Sequence, residues 1–136
     1  MSNKTFINNK ISEIEKYLFM SNAYIDYSRV EIEKNDMIRL SLERVLFLVL
    51  QASIDLGEIV IAYKHLRKAA SLHEIFEILQ EHKIISHDLM KKLAAMTGFR
   101  NIIVHDYAKI DYDRVYEILH KDLKDIEEFA SVVEKL

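Results

Sequence analysis

Apolar residues recur at three- and four-residue steps along almost the whole chain, the pattern of amphipathic helices. Ile7, Ile11, Ile14, Leu18, Ile25 and Ile32 set the first stripe, and Ser21 and Ser28 interrupt it. The pattern predicts one long helix, or a helix bent near those serines. Asn35 and Asp36 offer an N-cap. After them Ile38, Leu42, Val45, Val49, Ala52, Leu56, Ile59 and Tyr63 alternate steps of four and three without a miss. Leu46, Leu48, Leu50, Ile54 and Ile61 lie off that stripe. A helix apolar on several sides is central in a bundle or buried by a second chain. Gly57 within it costs about 1 kcal/mol relative to alanine, which predicts a close helix approach at that point.

Ser71 and Glu74 have the spacing of a capping box and open a short helix containing Ile75, Phe76, Ile78 and Leu79. Ser86 opens the next, with Asp88 in its first turn, running through Leu89, Leu93, Met96 and Phe99 to about His105. Asp111 caps the last helix, whose stripe is Val115, Ile118, Leu119, Ile126, Phe129, Val133 and Leu136. The expected architecture is all-α, a single helical bundle of about five helices forming one domain over 1–136.

Composition narrows the chemistry. The 136 residues include no cysteine, which excludes disulfides, cysteine-ligated zinc, iron–sulfur clusters and thiol catalysis. There is no proline and there are two glycines, where average usage would give about seven and about nine or ten. Gly-rich phosphate loops and hairpin-rich folds are therefore not expected. A net charge of −3 argues against a protein that coats nucleic acid non-specifically, while leaving room for a local basic site. The polar N-terminus has no signal-peptide core, and the longest apolar run, Val45 to Leu50, is far short of a membrane span. The expected location is the cytoplasm, without a membrane.

Most polar candidates read as surface. His73-Glu74 lacks the second histidine of a metalloprotease string, because Glu77 stands there. His82 and His87 bracket a loop without a third ligand, and His65 and His120 sit among charged neighbours. Tyr24, Tyr27, Tyr112 and Tyr116 fit amphipathic faces. The run Lys64-His65-Leu66-Arg67-Lys68 complements a helix C-terminus, unless a phosphate site lies beside it. No metal site and no cofactor is expected.

The segment Gly98-Phe99-Arg100-Asn101-Ile102-Ile103-Val104-His105-Asp106-Tyr107 differs. It places an arginine, an amide, an imidazole, a carboxylate and a phenol in eight positions of an apolar helix end. Arginine offers a planar fork to phosphate oxygens, and histidine exchanges a proton near neutral pH. Together they meet the minimum for metal-free RNA cleavage: a base for the 2′-hydroxyl proton and a fixed cation for the charge developing on phosphorus. On a regular helix, however, Arg100 and His105 point about 140° apart. His105 lines up instead with Asn101 and Gly98, so Asn101 could orient its ring. Either the helix ends before His105 and the chain turns the imidazole back, or a second protomer completes the site. Ala94 and Gly98 on the histidine stripe would let another helix come close. Spacing alone favours a plainer reading, an arginine capped by neighbouring carboxylates and a histidine at a helix end.

Arg100, four residues, His105, one residue and Tyr107 match the R-x4-H-x-Y signature of the HepT-type HEPN toxins, and the chain resembles that family from about Leu40 through the last helix, including Gln51 and Ile54-Asp55-Leu56. The resemblance implies a HEPN-like helical bundle that dimerises, with the motifs of both protomers meeting at a cleft. It implies the toxin of a type VII HEPN/MNT toxin–antitoxin system, a metal-independent endoribonuclease acting on cellular RNA, with transfer RNA as a target class. Arg100 would hold the scissile phosphate, His105 would act as acid or base, and Asn101 and Asp106 would support them. The implied partner is an MntA-type nucleotidyltransferase antitoxin that transfers AMP from ATP onto Tyr107, placing negative phosphate beside Arg100. Lys64, Arg67, Lys91 and Lys92 are candidates for positive potential at the cleft. The alternative reading is a non-catalytic helical partner, or nucleotide-binding subunit, of a minimal nucleotidyltransferase.

Overall fold

The interruption near Ser21 and Ser28 divides the N-terminal stripe into two helices in the computed structural model, which describes residues 3–105 and 109–136. Helix α1 spans Asn3–Ser21 and is followed by a 3-10 turn at Asn22–Tyr24; α2 spans Arg29–Lys34. The break is built by Ser28, whose hydroxyl accepts from the Glu31 amide at 3.1 Å while the Glu31 carboxylate accepts from the Ser28 amide at 3.1 Å. This reciprocal capping box starts a new helix. Asn35 then caps α3 (Asp36–Tyr63), accepting from the Ile38 amide at 3.2 Å.

Helix α3 is the centre of the bundle. Helix α1 lies along it and buries Ile7, Ile11 and Ile14. On the other sides α4 (Leu72–Glu81), α5 (His87–His105) and α7 (Leu123–Glu134) cover it. Leu46, Leu50, Ile54 and Ile61, the residues off the α3 stripe, are accordingly buried, and Leu48 is half-buried. Complete burial of an isoleucine or leucine contributes roughly 1.5–3 kcal/mol, so this surrounded helix dominates the core. Although no uninterrupted apolar run is long, α3 as a whole is long and apolar enough to cross a membrane; those apolar residues are mostly buried by its neighbours in the bundle.

Gly57 does mark a close approach. A Cβ at that position would stand 2.6 Å from Cγ2 of Ile75 on α4. Phe76 of α4 meets Phe129 of α7 edge-on at 5.6 Å, closing the layer beyond it. The α4 cap differs in one respect from the expected capping box. The Ser71 hydroxyl accepts from the Glu74 amide at 3.2 Å, but the Glu74 carboxylate turns to the Ala70 amide and the Arg67 guanidinium. An ion pair has displaced the return hydrogen bond.

The Ser86 hydroxyl accepts from the Leu89 amide at 3.1 Å and starts α5, which continues to His105. Asp111 caps α6 (Tyr112–Glu117) by accepting from the Asp113 amide at 2.9 Å. Between α6 and α7 the chain makes a π turn at Ile118–Asp122 that the spacing did not predict. Buried Val115, Leu119, Leu123 and Ile126 keep three- and four-residue steps through it, so the widened turn leaves no trace in the pattern. The α6–π–α7 run thus reads as one helix. Among the described residues it joins α1, α3, α4 and α5 as the five long helices, with α2 as a short sixth.

Candidate active site at the groove between α3 and α5

Helices α3 and α5 pack together, and the C-terminal half of α5 borders the stretch of α3 from Leu40 to Gln51. Buried Phe99 roots α5 in the core and leaves Arg100 on the flank facing α3. There the Arg100 Nε donates to Oε1 of Gln51 at 2.8 Å, and Nη1 donates to Oδ1 of Asn101 at 3.0 Å. The guanidinium also lies 5.8 Å from the ring centroid of Phe47, and that of Arg44 lies 5.2 Å from the same ring. Such cation–π contacts hold a guanidinium while leaving its donors free.

The Gln51 amide is itself held. Its Nε2 donates to Oδ1 of Asp55 at 2.9 Å, and the other Asp55 oxygen lies 3.7 Å from the Lys10 ammonium. Lys10 in turn donates to Glu13 at 2.8 Å. Burial works to lower the Lys10 pKa, but the hydrogen bonds and charges of Glu13 and Asp55 outweigh it and hold it above the ordinary lysine value. A polar chain therefore runs from α5 across α3 to α1 and ends on Arg100.

Six arginines occur in the sequence. Arg29, Arg39, Arg67 and Arg114 each pair with one or two carboxylates. The two with no carboxylate partner among the described residues are Arg44 and Arg100, both against Phe47. Among the described residues no carboxylate caps Arg100, in contrast to the plainer reading of an arginine capped by neighbouring carboxylates.

Beside them a groove of about 450 Å³ is lined by Leu40, Glu43, Arg44, Phe47, Ile103 and Val104. Of its lining residues, Leu40 and Val104 are exposed, as are Met37 and Ile102 elsewhere on α3 and α5. Glu43 is 4% exposed; its Oε1 accepts from the Tyr112 hydroxyl at 3.0 Å, and Oε2 has no partner among the described residues.

His105 is the exposed last residue of α5. The helix does not end early and turn the imidazole back, so within one chain His105 and Arg100 point about 140° apart. Asn101 directs its oxygen to Arg100 rather than to His105. Asp106 and Tyr107 lie outside the described residues. Of the small residues on the histidine stripe, Gly98 is exposed with open space where a Cβ would stand, whereas Ala94 is buried in its own bundle.

The basic residues expected at the cleft are placed differently. Lys64 is thirteen positions beyond Gln51, about 20 Å along α3. Arg67 is engaged by Glu74 and Glu81, which raise its pKa, and Lys92 pairs with Asp88 at 3.2 Å. Lys91 is exposed on α5, nine positions before Arg100 and about 14 Å along the helix. Arg44 stands where they were expected, and neither it nor Phe47 and Glu43 carried a local signal. His73 pairs with Glu77, His120 stacks on Tyr116, and among the described residues no three His, Asp or Glu converge on a metal-sized site.

The chain matches the family model described as Ribonuclease HepT-like over residues 7–133. It is 29% identical over 128 residues to the mRNA nuclease HepT of Shewanella oneidensis, covering 92% of this chain and 93% of that protein. It is 30% identical over 110 residues to the tRNA nuclease HepT of Aphanizomenon flos-aquae, covering 76% and 75%. The fold is similar, with a TM-score of 0.87 and 25% identity, to the tri-AMPylated Shewanella oneidensis HEPN toxin solved in complex with MNT antitoxin, over 96% of this chain and 97% of that one. The chain belongs to the Ribonuclease HepT-like family, and its activity class is that of a ribonuclease.

Proposed function

We propose that this chain, a single HEPN-like domain over 1–136, is the toxin of a HEPN/MNT pair and works in the cytoplasm as a homodimeric, metal-independent endoribonuclease. The observation that carries the reading is the state of Arg100: a guanidinium fixed by two amides and an aromatic ring, with no carboxylate partner among the described residues, at the edge of an open groove. A cation so held is preorganised for an anion that the protein itself does not supply. Phosphate oxygens of RNA fit its fork, and Arg44 adds a second unneutralised charge.

In the proposed reaction an imidazole, that of His105, takes the proton of a ribose 2′-hydroxyl, and the 2′-oxygen attacks the adjacent phosphorus. The P–O5′ bond breaks, the 5′-oxygen takes up a proton, and a 2′,3′-cyclic phosphate and a 5′-hydroxyl result. Arg100 stabilises the charge on the phosphoryl oxygens throughout. Because Arg100 and His105 of one chain face apart, the site combines Arg100 of one protomer with the partner's His105. The exposed apolar side chains of Met37 and Leu40 on α3 and of Ile102 and Val104 on α5 supply surface for that contact. Asn101 serves by steadying Arg100, and Asp106 supports the histidine end. An MntA-type nucleotidyltransferase silences the site by joining the α-phosphorus of ATP to the Tyr107 hydroxyl, with loss of its proton and release of pyrophosphate. The added phosphate then competes for Arg100 and repels RNA.

The test is cleavage of labelled transfer RNA and messenger RNA in EDTA. Wild type, Arg100→Ala and His105→Ala proteins are compared at equal dimer content, with Tyr107 shown to be unmodified by intact mass. Cleavage is expected from the wild type and lost in both variants. Equal cleavage by all three, or none by the wild type on either RNA, would transfer the chain to the non-catalytic partner class.

A further inference from the structure

We infer that Gln51 is the positioning residue for Arg100, and that its value lies in being an amide. The inference rests on the proposed role of Arg100 as the phosphate-binding group. Asp55, as a carboxylate, only accepts hydrogen bonds, so the Gln51 group 2.9 Å away must be its NH2. The carbonyl is thereby turned toward α5, where it accepts from Arg100 Nε at 2.8 Å. Lys10 meets the Asp55 charge from α1 and anchors the far end of the chain. Each link thus dictates the orientation of the next, although Arg100 and Gln51 are forty-nine positions apart.

Two consequences follow for the guanidinium. Of its five N–H donors, one is committed to Gln51 and one to Asn101, leaving three without a partner among the described residues and open to an incoming anion. Its full charge is also retained, because the acceptor at Nε is neutral. The four arginines that pair with carboxylates show the alternative. A carboxylate at position 51 would hold Arg100 as firmly, but it would cancel the charge and repel an RNA phosphate. Gln51 therefore separates orientation from neutralisation, and Asp55 keeps the amide from flipping.

The test compares wild type with Arg100→Ala, Gln51→Glu, Gln51→Met and Asp55→Leu full-length dimers. It measures kcat and KM on a labelled single-stranded RNA across a range of salt, with melting temperature and dimer content recorded for each. Gln51→Met is expected to lower kcat by about 10- to 100-fold, the cost of a displaced catalytic group. Gln51→Glu should lower kcat/KM at least as much. It should also flatten the log–log salt dependence by about 0.7, the loss of one phosphate contact on single strands. Asp55→Leu, at a half-exposed position, should show a smaller kcat loss at an unchanged melting temperature. Gln51→Met and Gln51→Glu both within twofold of wild type, with Arg100→Ala inactive, would overturn the role of Gln51 alone. A loss confined to variants that melt early or fail to dimerise would reduce Gln51 to a structural contact. Wild-type activity that survives Arg100→Ala would remove the reading of Arg100 itself, and the role of Gln51 with it.

Discussion

Arg100 and His105 stand on one uninterrupted helix and face about 140° away from each other. The proposed site is therefore one shared between two copies. The prediction is complementation: Arg100→Ala and His105→Ala chains, each inactive alone, regain activity when unfolded together and refolded as a mixture. Random pairing makes half the dimers mixed, and each mixed dimer keeps one intact composite site of two, so about a quarter of wild-type activity is expected. If each chain worked with its own pair, the mixture would stay inactive.

Gly57→Ala is expected to destabilise the bundle. Alanine gains about 1 kcal/mol of helix propensity, but its Cβ would stand 2.6 Å from Cγ2 of Ile75, a buried β-branched side chain with little freedom to move. Overpacking costs about 1–3 kcal/mol, so a net loss is expected in a denaturant titration. A midpoint at or above the wild-type value would mean that α3 and α4 separate easily.

The Tyr112 hydroxyl is the donor to Glu43, a carboxylate in the wall of the groove. Tyr112→Phe removes it and leaves both Glu43 oxygens without a donor among the described residues, which should cost about 1–3 kcal/mol in equilibrium unfolding. The double variant with Glu43→Gln, which no longer buries a charge, should recover part of that loss. No recovery would show that Tyr112 acts through its other contacts.

Asp125 on α7 has its pKa raised, because burial disfavours the charged form more than Lys92 favours it. A raised carboxyl pKa makes the native state bind the proton more readily than the unfolded chain. The stability cost is therefore absent below the ordinary value of 3.8, grows as pH rises through the folded pKa, and is complete at neutrality. Asp125→Asn is expected to raise the denaturation midpoint at pH 7, with a gain that shrinks as pH falls toward 3.8. A gain that persists unchanged in acid would point to a packing effect instead.

The helical class, the positions of the core stripes and the caps at Asn35, Ser86 and Asp111 were legible in the sequence, because each depends on hydrogen bonds and spacings within a few residues. The π turn at Ile118–Asp122 was not, since the buried residues keep helical steps through it. The half-formed box at Ser71 was misread for a related reason: Arg67, seven positions before Glu74, captures the carboxylate that spacing assigned to the cap.

The sequence by itself determined the all-α bundle and the clustering of Arg100, Asn101 and His105 at one helix end. Periodicity and local motifs are properties of neighbours along the chain. Only the tertiary structure decided which arginines lack a carboxylate among the described residues, that Arg100 rests on Gln51 and Phe47, and that His105 looks the other way. Those relationships join residues about fifty positions apart, or depend on the exact run of a helix, and a hydrogen bond across two helices exists only after packing has brought its partners within 3 Å.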